Sequence, residues 1–199
     1  MDIEIEGKNI FLKNKIVSKL DNFVIDFINI LEKYVGYVIV SGYVSILFGR
    51  SRGTEDIDIL IKKIDTDTFT RLYNELIEKG YWFLNAESPK ELYEMLDEKL
   101  AIRVALRNTV IPNIEIKFVK SELDTVSLNE HNVVKVGNKS INISPIELQI
   151  AFKLYLGSDK DIEDAVYLYD VFLEHLDKAN LKHYMGMLKV SGADYGINV

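Results

Sequence analysis

A segment in the first third of the chain constrains the fold more than any other. The β-branched run Tyr37–Val40 is typical of a buried strand, and it ends at Ser41-Gly42. Residues 44–48 predict a brief helix, and Asp56–Ile61 predicts the next strand. Strand, small-residue turn, helix and strand in this order indicate a sheet flanked by helices.

Two acidic residues stand at alternate positions in the second of these strands. Because strand side chains alternate, Asp56 and Asp58 project from one face, while Ile57 and Ile59 are buried on the other. Two carboxylates this close repel each other unless a cation neutralises them, and hard divalent ions prefer carboxylate oxygens. The pair therefore predicts a Mg²⁺ site, with Mn²⁺ as the alternative ion. A solvated strand edge is the simpler explanation of an Asp-x-Asp pattern taken alone.

A third acid lies in a later predicted strand. Residues 114–118 alternate, so that Glu115 and Lys117 leave the apolar face together. An adjacent strand would bring Glu115 beside the two aspartates. Three carboxylates suit two cations, which clamp the attacking and leaving oxygens of a phosphoryl displacement. An exposed acid paired with Lys117 is an equally simple alternative.

The rest of the chain predicts further helices and strands around this core. Helices are predicted over residues 13–34, 66–79, 89–99, 144–156 and 161–172, and strands over residues 81–84, 100–106, 114–119, 133–136 and 140–143. Ser88 and Ser144 each start a predicted capping box. The fold class is therefore α+β with an α/β-like core: a short mixed β-sheet flanked by helices, followed by a helical C-terminal part. A change in composition at Ser144 divides the chain into a core with an N-terminal helix, residues 1–143, and a helical subdomain packed on it, residues 144–199.

Composition excludes several classes of function. Of the 199 residues 48% are hydrophobic and none is cysteine, which rules out disulfides, thiolate zinc sites and thiol nucleophiles. A net charge of −7 disfavours an extensive nucleic-acid surface. Residues 1–15 lack the features of a signal peptide, and no apolar run has membrane-spanning length. We therefore expect a soluble cytoplasmic protein with no membrane partner.

Taken together, these motifs resemble the nucleotidyltransferase superfamily with the polymerase-beta-type core. That family shows a hydrophobic strand ending in Gly-Gly or Gly-Ser, a short helix, an acid-hydrophobic-acid strand and a third acid on a later strand. The matching residues here are Ser41, Gly42, Gly49, Arg50, Arg52, Thr54, Asp56, Asp58 and Glu115. The Gly-x-x-Arg-x-Thr-x-Asp-hydrophobic-Asp form is similar to a prokaryotic branch that includes abortive-infection type toxin nucleotidyltransferases. One departure is Ser41, which stands where the family commonly has its first glycine.

The resemblance implies an enzyme that transfers a nucleoside monophosphate from a nucleoside triphosphate, such as ATP, to an acceptor hydroxyl and releases pyrophosphate. It implies Asp56, Asp58 and Glu115 as catalytic residues and as ligands of Mg²⁺ or Mn²⁺, with Glu115 also a candidate proton acceptor. The residues that it implies for nucleotide binding are Ser41, Gly42, Arg50, Arg52, Thr54 and Lys153.

The C-terminal part matches the same branch more faintly. The branch carries Pro-x-Glu, a lysine and then Lys/Arg-Asp-x-x-Asp, and the matching residues in order are Pro145, Glu147, Lys153, Lys160, Asp161 and Asp164. By resemblance, Lys153 is a candidate phosphate ligand and either Asp161 or Asp164 a candidate positioning acid. The alternatives are a Lys153 side chain that extends to solvent and an Asp161 favoured only by the helix dipole.

The resemblance also bears on acceptors and partners. It implies RNA including tRNA, a protein, or a small alcohol such as an aminoglycoside-type antibiotic as the acceptor. Membership of the toxin branch implies an antitoxin protein as a partner. The alternative to an enzyme is a non-catalytic nucleotide-binding or protein-interaction module that retains the fold.

Overall fold

The computed structural model describes residues 1–198, which form nine β-strands and eight α-helices. The strands are β1 (Asp2–Glu6), β2 (Asn9–Lys13), β3 (Tyr37–Val40), β4 (Asp56–Ile61), β5 (Tyr81–Phe83), β6 (Ile102–Leu106), β7 (Asn113–Phe118), β8 (Asn132–Val136) and β9 (Lys139–Ile143). The helices are α1 (Lys19–Leu31), α2 (Gly42–Leu47), α3 (Thr66–Glu78), α4 (Pro89–Asp97), α5 (Glu122–Asn129), α6 (Ile146–Leu156), α7 (Asp159–Phe172) and α8 (Lys178–Leu188), followed by a 3₁₀ turn at Ala193–Tyr195. No helix among residues 1–198 combines the length and the apolar character needed to cross a bilayer.

The strands join one mixed sheet in the order β1-β2-β8-β9-β3-β4-β7-β6-β5. At its centre, β4 runs antiparallel to β3 and parallel to β7. The mixed sheet, the flanking helices and the helical C-terminal part confirm the predicted fold class. The sheet is longer than the short one expected, because the N-terminal residues add two strands to one edge.

The centre of the sheet has one apolar face and one polar face. Ile57 and Ile59 of β4 are fully buried on the apolar face, where helices α1, α3 and α4 pack. Tyr93 of α4, for example, meets Phe118 of β7 edge-on, with ring centroids 5.9 Å apart. The acidic residues of β4 lie on the opposite face, towards α5 and α6. The acids of β4 thus lie on the face opposite the one that packs against α1, α3 and α4.

The N-terminal residues form a β-hairpin that the sequence did not predict. β1 and β2 pair antiparallel, and β2 also lies parallel to β8. The predicted helix start at residue 13 is wrong, because β2 extends to Lys13 and α1 begins only at Lys19, after the N-cap residue Ser18. Ile16 fitted the spacing of the helical stripe, but it precedes the helix and is 91% exposed.

Both predicted capping boxes are wrong. Ser88 precedes α4 without a side-chain hydrogen bond to the helix, and α6 begins after Pro145, likewise without a side-chain cap. The Ser144 hydroxyl instead shares a 2.9 Å hydrogen bond with the hydroxyl of Ser127 in α5. Helix α5 itself was not predicted, because its apolar residues do not form a clear stripe.

The C-terminal helices pack on the core through aromatic side chains. Phe48, which follows α2, and Phe172, at the end of α7, are both buried, and their rings meet edge to face with centroids 4.7 Å apart. The Tyr167 hydroxyl donates a 2.9 Å hydrogen bond to the carbonyl oxygen of Phe48. Whether residues 144–199 form a separate subdomain stays a prediction.

Replacing the buried ring of Phe172 tests how tightly this part is joined to the core. We expect Phe172→Ala to lower the free energy of unfolding by about 3–5 kcal/mol, because it removes a large buried side chain and leaves a cavity. The measurement is urea unfolding followed by circular dichroism. Leu173→Ala, at the exposed neighbouring position, is the control and should cost much less. A loss below about 1 kcal/mol for Phe172→Ala would contradict this packing.

Candidate active site

The three predicted acids come from two neighbouring strands. Asp56 and Asp58 of β4 are partly exposed on the polar face, as the alternation predicts. β4 pairs with β7 in a register that sets Asp58 directly opposite Glu115. Because paired residues of adjacent strands project from the same face, the three carboxylates share one side of the sheet. Their predicted catalytic and metal-binding roles stay predictions.

Two cationic side chains already contact these acids. The Lys117 ammonium lies 3.0 Å from Asp58 Oδ1 and 2.6 Å from Glu115 Oε1. Arg103, opposite Glu115 on β6, places its Nε 3.1 Å from Glu115 Oε2. The pairing of Glu115 with Lys117, raised above as an alternative, is therefore present. Within residues 1–198, no three or more His, Cys, Asp or Glu side chains are arranged as a group that could hold a metal ion.

Burial and neighbouring charges shift the pKa values of Asp58 and Glu115 in opposite directions. Burial raises the pKa of Asp58, and the nearby charges of Glu115 and Asp56 add to the rise, although Lys117 partly offsets it. Burial alone would also raise the pKa of Glu115, but the hydrogen bonds and charges of Lys117 and Arg103 outweigh it and hold that pKa below its usual value. One more cation beside Asp58 would therefore favour its ionised form against the effect of burial.

The turn before α2 adopts an unusual backbone conformation. Ser41 has φ 66° and ψ −142°, a region in which glycine is far more common than other residues. Its N–H donates a 3.2 Å hydrogen bond to Oε1 of Gln149 in α6. At Gly42 an added Cβ would come within 3.0 Å of Nη2 of Arg52. The missing side chain at Gly42 thus allows the Arg52 guanidinium to lie directly against this turn.

A buried ion-pair network joins the loop before β4 to the C-terminal helices. Asp164 of α7 has no exposed surface, and its two carboxylate oxygens accept hydrogen bonds from Arg50 and Arg52. Lys153 of α6, only 2% exposed, lies 3.0 Å from Asp164 Oδ2 and 2.6 Å from Asp161 Oδ1. We call these five residues the Asp164 network. The alternative of a Lys153 that extends to solvent is wrong, because the carboxylates of α7 hold its ammonium inside.

The predicted nucleotide-binding residues therefore fall into two groups, one in the Asp164 network and one at the Ser41-Gly42 turn, with Thr54 apart from both. Arg50 and Lys153 belong to the Asp164 network, and Arg50 also donates to the carbonyl oxygen of Lys160. Thr54 donates a 2.8 Å hydrogen bond to the carbonyl oxygen of Asp56 and so supports the start of β4. Arg52 belongs to the same network but also reaches the Ser41-Gly42 turn, which links the two groups.

A cavity of about 330 Å³ opens beside the acids, between α5 and α6. Ser41, Asp58 and Lys117 form part of its wall. The remaining lining is largely apolar and includes Phe152, whose side chain is partly exposed. Sequence reasoning missed Gln149 and Phe152 because a three-residue spacing along a helix does not distinguish a cavity wall from core. It missed Arg103 because the pairing of β6 with β7 is not evident from local pattern.

Removing the charge of Asp164 tests the network. We expect Asp164→Asn to lower the free energy of unfolding by about 3–5 kcal/mol, because buried cations lose their shared counter-ion. Chemical denaturation measures the loss. Glu163→Gln is the matched control, since exposed Glu163 also pairs with Arg50 but such a surface pair contributes about 1 kcal/mol or less. Equal effects of the two substitutions would show that the burial of Asp164 carries no special weight.

The backbone of Ser41 allows a second test. We expect Ser41→Gly to stabilise the protein by about 1 kcal/mol, because relief of backbone strain outweighs the greater flexibility of glycine in the unfolded chain. Ser41→Ala removes the hydroxyl but keeps the strain, so it should bring no such gain. Differential scanning calorimetry of the wild-type protein, Ser41→Gly and Ser41→Ala measures these changes in stability. A destabilised Ser41→Gly variant would contradict the strained geometry.

Comparison with known proteins bears on the fold. No protein-family model matches the chain, and no curated protein matches it. Similar solved structures include an antigenic nucleotidyltransferase-like protein from Paracoccidioides brasiliensis, with a TM-score of 0.51 and 14% identity, and the antibiotic-resistance factor ANT(2'')-Ia, with a TM-score of 0.51 and 11% identity. Each similarity covers 88% of this chain and 95% of the other. The chain therefore has the fold of nucleotidyltransferase-like proteins, which confirms the fold that the sequence motifs implied.

Proposed function

We propose that this protein is a metal-dependent nucleotidyltransferase, which transfers a nucleoside monophosphate from a nucleoside triphosphate to an acceptor hydroxyl. The observation that carries the proposal is the register of β4 and β7, which places Asp58 opposite Glu115 and beside Asp56 on a polar face. This face adjoins the Ser41-Gly42 turn and an open cavity. The shared fold is consistent with the proposal but does not by itself specify a reaction.

The donor atoms left on the polar face fit a hard divalent cation. Within residues 1–198, neither the Asp56 carboxylate nor Asp58 Oδ2 takes part in a side-chain hydrogen bond or ion pair. Mg²⁺ is commonly held by one or two carboxylates together with substrate phosphates, so Asp56 and Asp58 are enough to hold it when a triphosphate is bound. Bound there, Mg²⁺ or Mn²⁺ would neutralise charge on the phosphates.

The turn before α2 and the cavity would hold the two ends of the nucleotide. The Ser41 hydroxyl and the backbone of Gly42 would contact the triphosphate, and Arg52 is the best placed of the predicted cationic ligands because its guanidinium lies against Gly42. The nucleoside would enter the cavity, where Phe152 offers an aromatic surface for a base. A volume of about 330 Å³ is at the lower end of the range for ligand pockets.

In the transfer, the acceptor oxygen forms a bond to the α-phosphorus, and the bond from that phosphorus to the pyrophosphate oxygen breaks. The acceptor hydroxyl would lose its proton to Glu115, the candidate proton acceptor. Lys117 and Arg103 hold the pKa of Glu115 below its usual value and so weaken it as a base, whereas the pKa of Asp58 is raised by burial. Because Lys117 and Arg103 already balance the charge of the Glu115 carboxylate, these contacts also favour the second candidate function, a non-catalytic nucleotide-binding module.

We also propose which acceptors, triphosphate donor and partners to test. RNA including tRNA, a protein and a small alcohol are the acceptor classes to test, with ATP as the first donor. A net charge of −7 favours acceptors with a small contact area over an extended RNA. An antitoxin partner follows only if the toxin branch applies, whereas a cytoplasmic location is proposed on the sequence features of residues 1–15 and the lack of a long apolar run.

The central experiment measures transfer from each labelled triphosphate to cellular RNA, to protein extract and to small alcohols, with release of pyrophosphate as a second readout. We expect Asp58→Asn to lower the rate by at least about 100-fold, as for loss of a group that stabilises the transition state. EDTA should abolish transfer. Asp58→Asn should not lower the unfolding temperature, because burial already disfavours the charge at this position. Asp26→Asn, at an exposed position on α1, is the control.

Two outcomes would contradict the proposal that this protein is a nucleotidyltransferase. Triphosphate binding that depends on Mg²⁺, without transfer or pyrophosphate release for any acceptor, would support the non-catalytic module. A transfer rate that is unchanged in Asp58→Asn would show that the acids of the polar face do not carry the reaction.

A further inference from the structure

We infer that Lys117 is a built-in cation of the acid cluster, so that the site takes one divalent ion rather than two. The inference rests on the proposed function, which gives the acids a role in binding a metal with a triphosphate. The Lys117 ammonium bridges Asp58 and Glu115, the same two carboxylates that a second divalent ion would have to share.

Both carboxylate oxygens of Glu115 already contact a cation. Glu115 Oε1 lies 2.6 Å from the Lys117 ammonium, and its Oε2 lies 3.1 Å from Nε of Arg103. The contact with Lys117 is an ion pair, and the contact with Arg103 is a hydrogen bond between charged groups. Glu115 therefore has no carboxylate oxygen that is free of a cation. A divalent ion on Glu115 would have to displace Lys117 or Arg103 and would meet the repulsion of the other.

The remaining donors lie on the other side of the cluster. Asp58 uses Oδ1 for Lys117, while its Oδ2 and the Asp56 carboxylate form no side-chain hydrogen bond or ion pair within residues 1–198. These atoms can hold one ion together with phosphate oxygens. The structure thus separates the free donors, which are the Asp56 carboxylate and Asp58 Oδ2, from Glu115, whose two oxygens each contact a cation.

Lys117 is held in place from several directions. Its backbone belongs to β7 and pairs with Leu60 of β4, and its side chain is only 30% exposed. Arg103, whose side chain is 53% exposed, contacts the Glu115 oxygen that Lys117 does not contact. In this position the ammonium can stabilise negative charge beside the acceptor oxygen, which is the electrostatic part of what a second metal ion would do.

Counting bound Mn²⁺ by electron paramagnetic resonance tests the inference without measuring transfer. The titration uses the purified full chain, with and without a non-hydrolysable triphosphate analogue. We expect one Mn²⁺ on the wild-type protein with the analogue, and two on Lys117→Met, which removes the charge but keeps an unbranched side chain. Lys117→Arg keeps the charge and should bind one ion. Lys62→Met, an exposed lysine just after β4, is the control and should also bind one.

The outcomes separate this inference from the proposed function. One ion on the wild-type protein and two on Lys117→Met, without any transfer activity, would support the built-in cation and contradict the enzyme. Active wild-type protein with two bound ions would support the enzyme and overturn the built-in cation. A count of one on a folded Lys117→Met would also overturn it. If circular dichroism shows that Lys117→Met does not fold, Lys117→Gln takes its place, and two ions on the wild-type protein remain decisive.

Discussion

The parallel pairing of β4 with β7 is the constraint on which the rest of the site depends. It sets Asp58 opposite Glu115, and it turns Ile57 and Ile59 into the core at the same time. A slip of one residue in either strand would move its acids to the apolar face and its isoleucines to the polar face. The burial of the isoleucines therefore fixes the position of the charges, and the stability of the core and the geometry of the acids are a single property of the sheet.

Two clusters of charged side chains, one on the polar face and one buried around Asp164, differ in how their charges are paired. On the polar face, Asp58 and Glu115 contact two cations while Asp56 contacts none, so the three acids retain an excess of negative charge that favours one further cation. In the Asp164 network, three cations pair with two carboxylates, and these contacts tie the loop before β4 to α6 and α7. Arg52 belongs to this network and also reaches Gly42, so the packing of the C-terminal helices bears on the shape of the candidate phosphate turn.

Local sequence pattern predicted the elements whose side chains repeat with a clear period. β3 and β4 follow from a β-branched run and from strict alternation, and most of the amphipathic helices follow from their apolar stripes. The hairpin of β1 and β2 was missed, because an alternating segment becomes a strand only when a partner such as β8 is available. The start of α1 was misplaced for the same reason, since residues up to Lys13 belong to that hairpin.

The candidate site was predictable in composition but not in connectivity. The motif order identified the acids, the Ser41-Gly42 turn and Lys153, yet no local pattern shows that Arg50 and Arg52 converge on Asp164, more than a hundred residues away. The same holds for the contact of Arg103 with Glu115, which depends on the pairing of β6 with β7. Long-range pairing is decided by the packing of the whole sheet, and a single sequence does not display it.

The most direct test of the account is a crystal structure of the protein with Mn²⁺ and a non-hydrolysable triphosphate, in which anomalous scattering locates each ion. We predict one Mn²⁺ between Asp56, Asp58 and the phosphates, with Lys117 still bound to Glu115. Triphosphate bound away from the polar face, or no ion at Asp56 and Asp58, would contradict it.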